Sequence, residues 1–346
     1  MASLPASVLC HIVDVHCHPT ETLSTMTKFN LERLQLTVCA MSTHQTDQRL
    51  VRDLAYQYPE KVIPCFGYHP WFSHFITLRP EFSKSEHYRH LFIGDATEQT
   101  AQSTTAFDEL LPLLPEPITL DNVLSDLRSD FKFFSTTMAM LGEVGLDKAV
   151  RVPFDYHASP RRLSPFTIPL DHQLAILEAQ LDLAVEIGVN VSLHSVKCPQ
   201  ATVDLLNKLQ RKHGLKWEKI RIDIHSCSMN PEVIHSLQAG IKRHPNVWMS
   251  VSTTINGRSN NLNALIAVCA PDRILIESDT DSINKCTERC LEILHIVAQV
   301  KGWPIEDDWM DELEEAERGA VRRLEANWKT FIGVGGPKGY NSSIIQ

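Results

Sequence analysis

Residues 189–194 read Val-Asn-Val-Ser-Leu-His, residues 220–225 read Ile-Arg-Ile-Asp-Ile-His, and residues 274–279 read Ile-Leu-Ile-Glu-Ser-Asp. Each is a short alternating apolar run that ends in a histidine or an acid, the pattern of a strand with one polar face. Working outward, similar runs occur at His11–His16, Leu36–Met41, Val62–Phe66, Met138–Glu143 and Val247–Val251, so eight strands are predicted, the last being Ile274–Glu277. Helical periodicity falls between several of them, at Asp171–Ile187, Ala201–His213, Pro231–Arg243 and Asn284–Val300. Strand–helix alternation predicts a parallel sheet with helices outside, and eight repeats predict an α/β fold of the (β/α)8 TIM-barrel class. A doubly wound open sheet is the rival, but neither GxGxxG nor GxxxxGK[ST] occurs to favour it.

Length and composition fit this fold. The chain has 346 residues, 43% apolar and 22% charged, which excludes general disorder. No apolar run approaches the ~18 residues of a membrane span, and the first ten residues lack the basic start and long apolar stretch of a secretory signal. Nine cysteines are scattered singly without a CxxC pair, so reduced thiols and a cytoplasmic or nuclear location are expected. The net charge of -9 disfavours a binder that captures nucleic acid by broad electrostatic attraction. An enzyme whose bound cations supply positive charge locally remains compatible with it.

Residues 1–332 are predicted to form one barrel domain with an insertion over about 72–137, and 333–346 a flexible tail. The insertion holds a polar stretch, Arg79–Thr105, and a predicted helix near Leu120–Phe131. Residues 148–169 carry four prolines and read as an irregular loop, and residues 306–317 carry eight acidic side chains in a helical pattern.

What ends the strands carries the chemistry. The first ends His16-Cys17-His18, the fourth at Glu143, the fifth at His194 and the sixth at His225, while Asp279 follows the eighth. In a (β/α)8 barrel these carboxyl ends converge on one face. Imidazole and carboxylate suit zinc, manganese and similar divalent ions. Alternation then turns Asp14, Ser192, Asp223 and Glu277 inward as well, and sends Val13, Val15, Val191, Leu193, Ile222, Ile224, Ile274 and Ile276 toward the helices. So many inward polar groups need partners, and metal ions with side chains that orient the ligands supply them.

The motifs resemble a known family. Asp14-Val-His16-Cys-His18 is similar to the DxHxH opening of the TatD-related metal-dependent hydrolases of the amidohydrolase-like superfamily. Gly67-Tyr-His69-Pro70 resembles their G(I/L)HP segment, Gly142-Glu143-Val-Gly145-Leu-Asp147 their GE(I/C)GLD segment, and His172-Gln173 with Gln180–Ala184 their QxxxFxxQLxLA helix. His194, His225 and Glu277-Ser-Asp279 fall where that family has HxR, HxF and ETD. Asn327–Phe331 resembles its closing NxxxxF region.

The resemblance implies two divalent ions (Zn, Mg or Mn), with His16, His18, Glu143 and Asp279 on the first, and a bridging Glu143 with His194 and His225 on the second. It implies Asp279, Glu143 and His69 as catalytic residues, Asp279 acting on a metal-bound hydroxide and His69 contacting a substrate phosphate. It further implies phosphodiester hydrolysis in DNA or a smaller phosphodiester, in the manner of an exonuclease. Val196 stands where the family has an arginine, Ser226-Cys227-Ser228 lacks its phenylalanine and glycine, and no proline follows Asp279 as TDSINKC does in its place. Lys148, Arg151, Arg161, Arg162, Lys197 and Arg258 are candidate substitutes for the missing cation. Two alternatives stay open: hydrolysis of a small ester, lactone or amide, or a barrel serving as a protein-interaction partner through the insertion 72–137 or the acidic helix 306–317.

Overall fold

A computed structural model of the chain describes residues 4–94, 101–135, 138–156, 158, 160–239, 244–310, 314 and 317–333. The expected tail at 334–346 and parts of the insertion and the acidic segment lie outside them. Eight parallel strands follow one another around a single sheet: β1 (Val13–Cys17), β2 (Thr37–Met41), β3 (Val62–Phe66), β4 (Met140–Asp147), β5 (Asn190–Val196), β6 (Ile222–Ile224), β7 (Val247–Val251) and β8 (Ile274–Ile276). Past the strand ends, the Asp279 N–H donates to the His16 carbonyl (3.0 Å) and the His18 N–H to the Thr280 carbonyl (2.9 Å). These two bonds draw the first and last segments together and make a nearly closed barrel.

The outer layer holds α1 (Gln45–Gln57), and the insertion holds α2 (Lys84–Phe92), α3 (Ala101–Leu110) and α4 (Leu120–Phe131), of which only α4 was expected from the sequence. There follow α5 (Leu170–Ile187), α6 (Pro199–His213), α7 (Pro231–Ala239), α8 (Leu262–Val268), α9 (Ile283–Lys301) and α10 (Ala320–Ile332). Val191, Leu193, Ile222, Ile224, Ile274 and Ile276 are buried in the large cluster between sheet and helices. A second cluster fills the lower barrel with Val15, Cys39, Met41, Cys65, Met140, Trp248 and Leu275, and α10 seals it with Trp328, Phe331 and Ile332. Asn190 at the start of β5 donates to the Phe331 carbonyl (2.7 Å), and Asn327 to the Ile274 carbonyl (2.9 Å), so α10 covers the amino ends of the strands. The carboxyl ends are left for chemistry.

Val13 and Val15 belong with the inner cluster and not the helix-facing one, and Asp14 lies beside cysteines of α9. The cause is a register irregularity between Asp14 and Cys17 against β2, which breaks simple alternation. The fourth strand runs on past Glu143 to Asp147, because it pairs along the long β5 as far as Val196. Gly145 permits that close pairing, since a Cβ there would stand 2.1 Å from the His194 carbonyl oxygen.

The loop 148–169 is partly ordered: backbone bonds link Val152 to Phe166, Ser164 to Val152 and Phe154 to Arg162. With the insertion it forms a third apolar cluster of Tyr88, Phe107, Leu110, Leu114, Val152, Phe166 and Ile168. The two departures from a minimal barrel therefore pack on each other.

The acidic segment is not a helix among its described residues, 306–310, 314 and 317. Like charges one turn apart repel in a helix, and an extended course lets single residues take separate seats. Glu306 accepts the Val321 and Arg322 N–H groups (2.9 and 3.1 Å), satisfying orphan donors at the start of α10. Trp309 stacks on His11 at 3.4 Å and lies under the Arg322 guanidinium at 3.8 Å.

Candidate metal centre

The parallel sheet delivers one side chain after another to the carboxyl-end mouth. Glu143, on β4, is buried at its middle, and its two carboxylate oxygens face opposite groups. Oε2 lies 3.1 Å from His18 Nε2 and 3.4 Å from His16 Nε2, both from β1 and its end. Oε1 lies 2.7 Å from His194 Nδ1 on β5 and 2.7 Å from His225 Nε2 after β6. Asp279 Oδ1 approaches His18 Nε2 at 3.7 Å and His16 Nε2 at 3.9 Å. All six ligand-type residues named from the sequence thus meet at one place.

The far sides of the rings face oxygens. His16 Nδ1 meets the Ser192 hydroxyl at 2.7 Å, and its ring stacks on His225 at 3.8 Å. His225 Nδ1 lies 3.6 Å from Glu277 Oε1, and His194 Nε2 3.5 Å from Asp147 Oδ2. One nitrogen inward and the other toward an orienting oxygen is the usual arrangement of metal-ligating histidines. Inward-facing nitrogens come as close as 3.1 Å between His16 and His18, and 3.2 Å between His194 and His225. Donors so crowded, with carboxylates between them, fit divalent cations. Ligand atoms lie within 4.8 Å of one another in three sets: His16, His18, Glu143; His16, His225, Asp279; and His69, Glu143, His194.

His69 lines the same centre. It is buried, with Nε2 3.1 Å from Glu143 Oε1 and 3.4 Å from His194 Nδ1. Burial pushes its pKa down to about 4, leaving a neutral imidazole near pH 7. Burial acts to raise the Glu143 carboxyl, but the imidazoles of His69, His225 and His16 hold it well below the usual carboxylate range. Beneath the centre, Ser250 Oγ lies 2.7 Å from Asp223 and 2.5 Å from Glu277. One hydroxyl proton cannot serve two carboxylates. Burial, with the Glu277 charge beside it, pushes Asp223 up to about 8, so Asp223 carries the second proton near pH 7.

Asp147, Trp71 and Ser226 complete the surroundings. Asp147 follows Glu143 by four positions on one strand, an even spacing that places both on the same face, so sequence reasoning had the means to find its role. Trp71 donates its indole N–H to Asp147 at 2.6 Å and its backbone N–H to His69 Nδ1 at 3.1 Å. No sequence period announces this, because it depends on the turn at Pro70–Phe75. The Ser226 hydroxyl lies 3.0 Å from Asp279 Oδ2 and 2.5 Å from Glu277 Oε1. Of the candidate cations, Arg151 is tied to the Ser164 carbonyl at 2.8 Å and Arg162 is forked onto Glu109, both away from the ligands. Lys148, Arg161, Lys197 and Arg258 are exposed.

Residues 13–309 match the family model described as TatD related DNase. The chain belongs to this family. It is 30% identical over 363 residues to the Cut9-interacting protein of Schizosaccharomyces pombe, covering 93% of this chain and 99% of that one. It is 28% identical over 335 residues to a Saccharomyces cerevisiae protein described as an uncharacterized deoxyribonuclease, again covering 93% and 99%. Among solved structures, a TatD homolog of Escherichia coli superposes with a TM-score of 0.54 at 16% identity, covering 94% of this chain and 99% of that one. An uncharacterized amidohydrolase of S. cerevisiae gives 0.53 at 13% identity, covering 94% and 95%. At those identities the structures speak for the fold alone, and they agree on the TatD-type barrel. As a TatD-related protein the chain is a hydrolase of that type. The family match begins at the first residue of β1 and spans every ligand-type residue of the centre. No described helix is long and apolar enough to cross a membrane, and all nine cysteines are free thiols.

Proposed function

We propose that this chain hydrolyses phosphodiester bonds in DNA, working from the strand end, with two divalent cations held at the centre. The observation that carries the reading is the position of Glu143, whose two oxygens face the His16–His18 pair and the His194–His225 pair separately. That arrangement supports a bridging carboxylate, with Asp279 completing the first ion's set and His69 standing ready beside the second. Bound cations of this kind lower the pKa of water and offset charge on attacking and leaving oxygens. Zinc, manganese and magnesium all suit the donors.

The chain's own residues do the rest. Asp279, held by Ser226, is the more exposed of the two ligand-type carboxylates and takes the proton of the attacking water. Glu277 and Asp147 keep the imidazoles turned inward. His69, neutral near pH 7, fills the wall beside His194 and excludes water there. Purified, metal-loaded protein on single-stranded DNA tests this: wild type should release nucleotides, and the His16→Ala, Asp279→Asn double variant should not. Equal, slow release by both proteins sinks the proposal.

Val196, in place of an arginine, favours a second reading in which the bond cleaved is a small ester, lactone or amide. A panel pairing phosphodiester and carboxyl-ester reporters separates the two. A partner-binding role for the insertion draws support from the extra surface of 72–137 and from the printed name of the S. pombe relative. Substituting exposed residues of α2 should then abolish partner capture and spare hydrolysis. Unpaired cysteines throughout are consistent with work in the cytoplasm or nucleus.

A further inference from the structure

Between β1 and α9 lies a second group of metal-ligand side chains that the hydrolytic centre does not use. A carboxylate oxygen of Asp14 and the sulfurs of Cys17 and Cys286 all fall within 4.8 Å of one another. Cys290, one helical turn beyond Cys286, also lies beside Asp14. The Ser278 hydroxyl lies against the same carboxyl without reaching hydrogen-bond geometry. All five residues are fully buried.

Asp14 is only half accounted for. Its Oδ1 accepts the Ser278 N–H at 2.8 Å and the His16 N–H at 3.4 Å. Its Oδ2 has no hydrogen-bond partner, and neither has the Ser278 hydroxyl. A buried oxygen in that state is costly unless something satisfies it. The surrounding groups are thiols, weak donors to an oxygen but strong ligands to a soft cation once deprotonated. Tetrahedral zinc, with bonds of about 2.0–2.3 Å, sets its ligands roughly 3.3–3.8 Å apart, inside the 4.8 Å that bounds the Asp14, Cys17 and Cys286 donor atoms.

We propose that Asp14, Cys17 and Cys286, with Cys290 as the fourth donor, form a thiolate-rich site for a zinc-type divalent ion, separate from the hydrolytic centre. Binding releases the thiol protons and the carboxyl proton to solvent and leaves sulfur and oxygen lone pairs on the ion. Its role is structural. Cys17 sits between the ligands His16 and His18, while Cys286 follows the Asp279 segment, so the ion would tie together the two stretches that close the barrel.

Cobalt substitution of the full-length protein is the test, because thiolate-to-cobalt charge transfer gives a near-ultraviolet band that histidine and carboxylate ligands cannot produce. Wild type should show the band. His194→Ala, which alters only the hydrolytic centre, should keep it, while Cys286→Ala and Cys17→Ala should each lose it. Metal analysis of zinc-loaded protein should find one equivalent fewer in Cys286→Ala than in wild type. A wild-type protein without the band overturns the proposal and leaves a buried water as the partner of Asp14. A band that survives in both cysteine variants overturns it equally.

Discussion

Trp71 holds Asp147 in place: its indole N–H donates 2.6 Å to Asp147 Oδ2, the oxygen that also stands 3.5 Å from His194 Nε2. The bond reaches from the start of the insertion into the wall of the metal centre. Burial acts to raise the Asp147 carboxyl, but His194 and Trp71 lower it, so it stays ionised as an orienter. Trp71→Phe keeps a ring and removes the N–H. Metal affinity or turnover should fall about 10–100-fold, the usual consequence of losing an orienting partner. Titration of metal into the stripped variant, followed by activity, checks this. An unchanged affinity and kcat would show that Asp147 is held without Trp71.

Ser226 has a left-handed backbone (φ 39°) and a hydroxyl shared between Glu277 and Asp279. Ser226→Gly keeps that backbone accessible and deletes the hydroxyl, so kcat should drop at least tenfold with little change in KM. Ser226→Ala should match it in kcat but be less stable than Ser226→Gly by roughly 1 kcal/mol, because it keeps the Cβ that this conformation disfavours. Steady-state kinetics and urea unfolding separate the two effects.

Acid should loosen the junction of barrel and insertion. Burial, reinforced by His172 and His87, pushes His74 down to about 3, and burial pushes His172 down to about 4. The unfolded chain binds these protons below pH ~6.5 and the folded one does not, so stability falls as pH drops through that window, by up to about 1.4 kcal/mol per pH unit for each group. His74 lies among the rings of Phe75, Tyr88, Phe92 and Tyr156. His74→Phe should flatten the profile between pH 6.5 and 4.5, measured by urea unfolding at each pH. A slope identical to wild type would mean that another group titrates.

Phe107 is fully buried between the insertion and the 150–168 arm. Phe107→Ala should cost about 3–5 kcal/mol. If the insertion unfolds with the barrel, one transition will move. Two separated transitions would show that the insertion melts alone.

Strand order, the helices α4, α5, α6, α7 and α9, and the convergence of His16, His18, Glu143, His194, His225 and Asp279 were legible because each depends on a period of two or 3.6, or on a strand terminus. Asp14 and Val15 were misread because a bulge cancels the period and leaves no trace in residue type. The acidic segment misled for a related reason: helical spacing of charges describes what a helix would display, not what Glu306 and Trp309 gain by leaving it. Trp71 and Ser226 act through turns, whose geometry follows from contacts far away in the chain.

The bonds from Asp279 to His16 and from His18 to Thr280 join the two ends of the sheet through the very residues that converge on Glu143. Barrel closure and assembly of the centre are consequently one event. A chain whose strands have all formed but whose seam is open has a complete core and no working site. Any agent that prises the seam, whether heat or truncation of α10, should silence hydrolysis before it melts the helices.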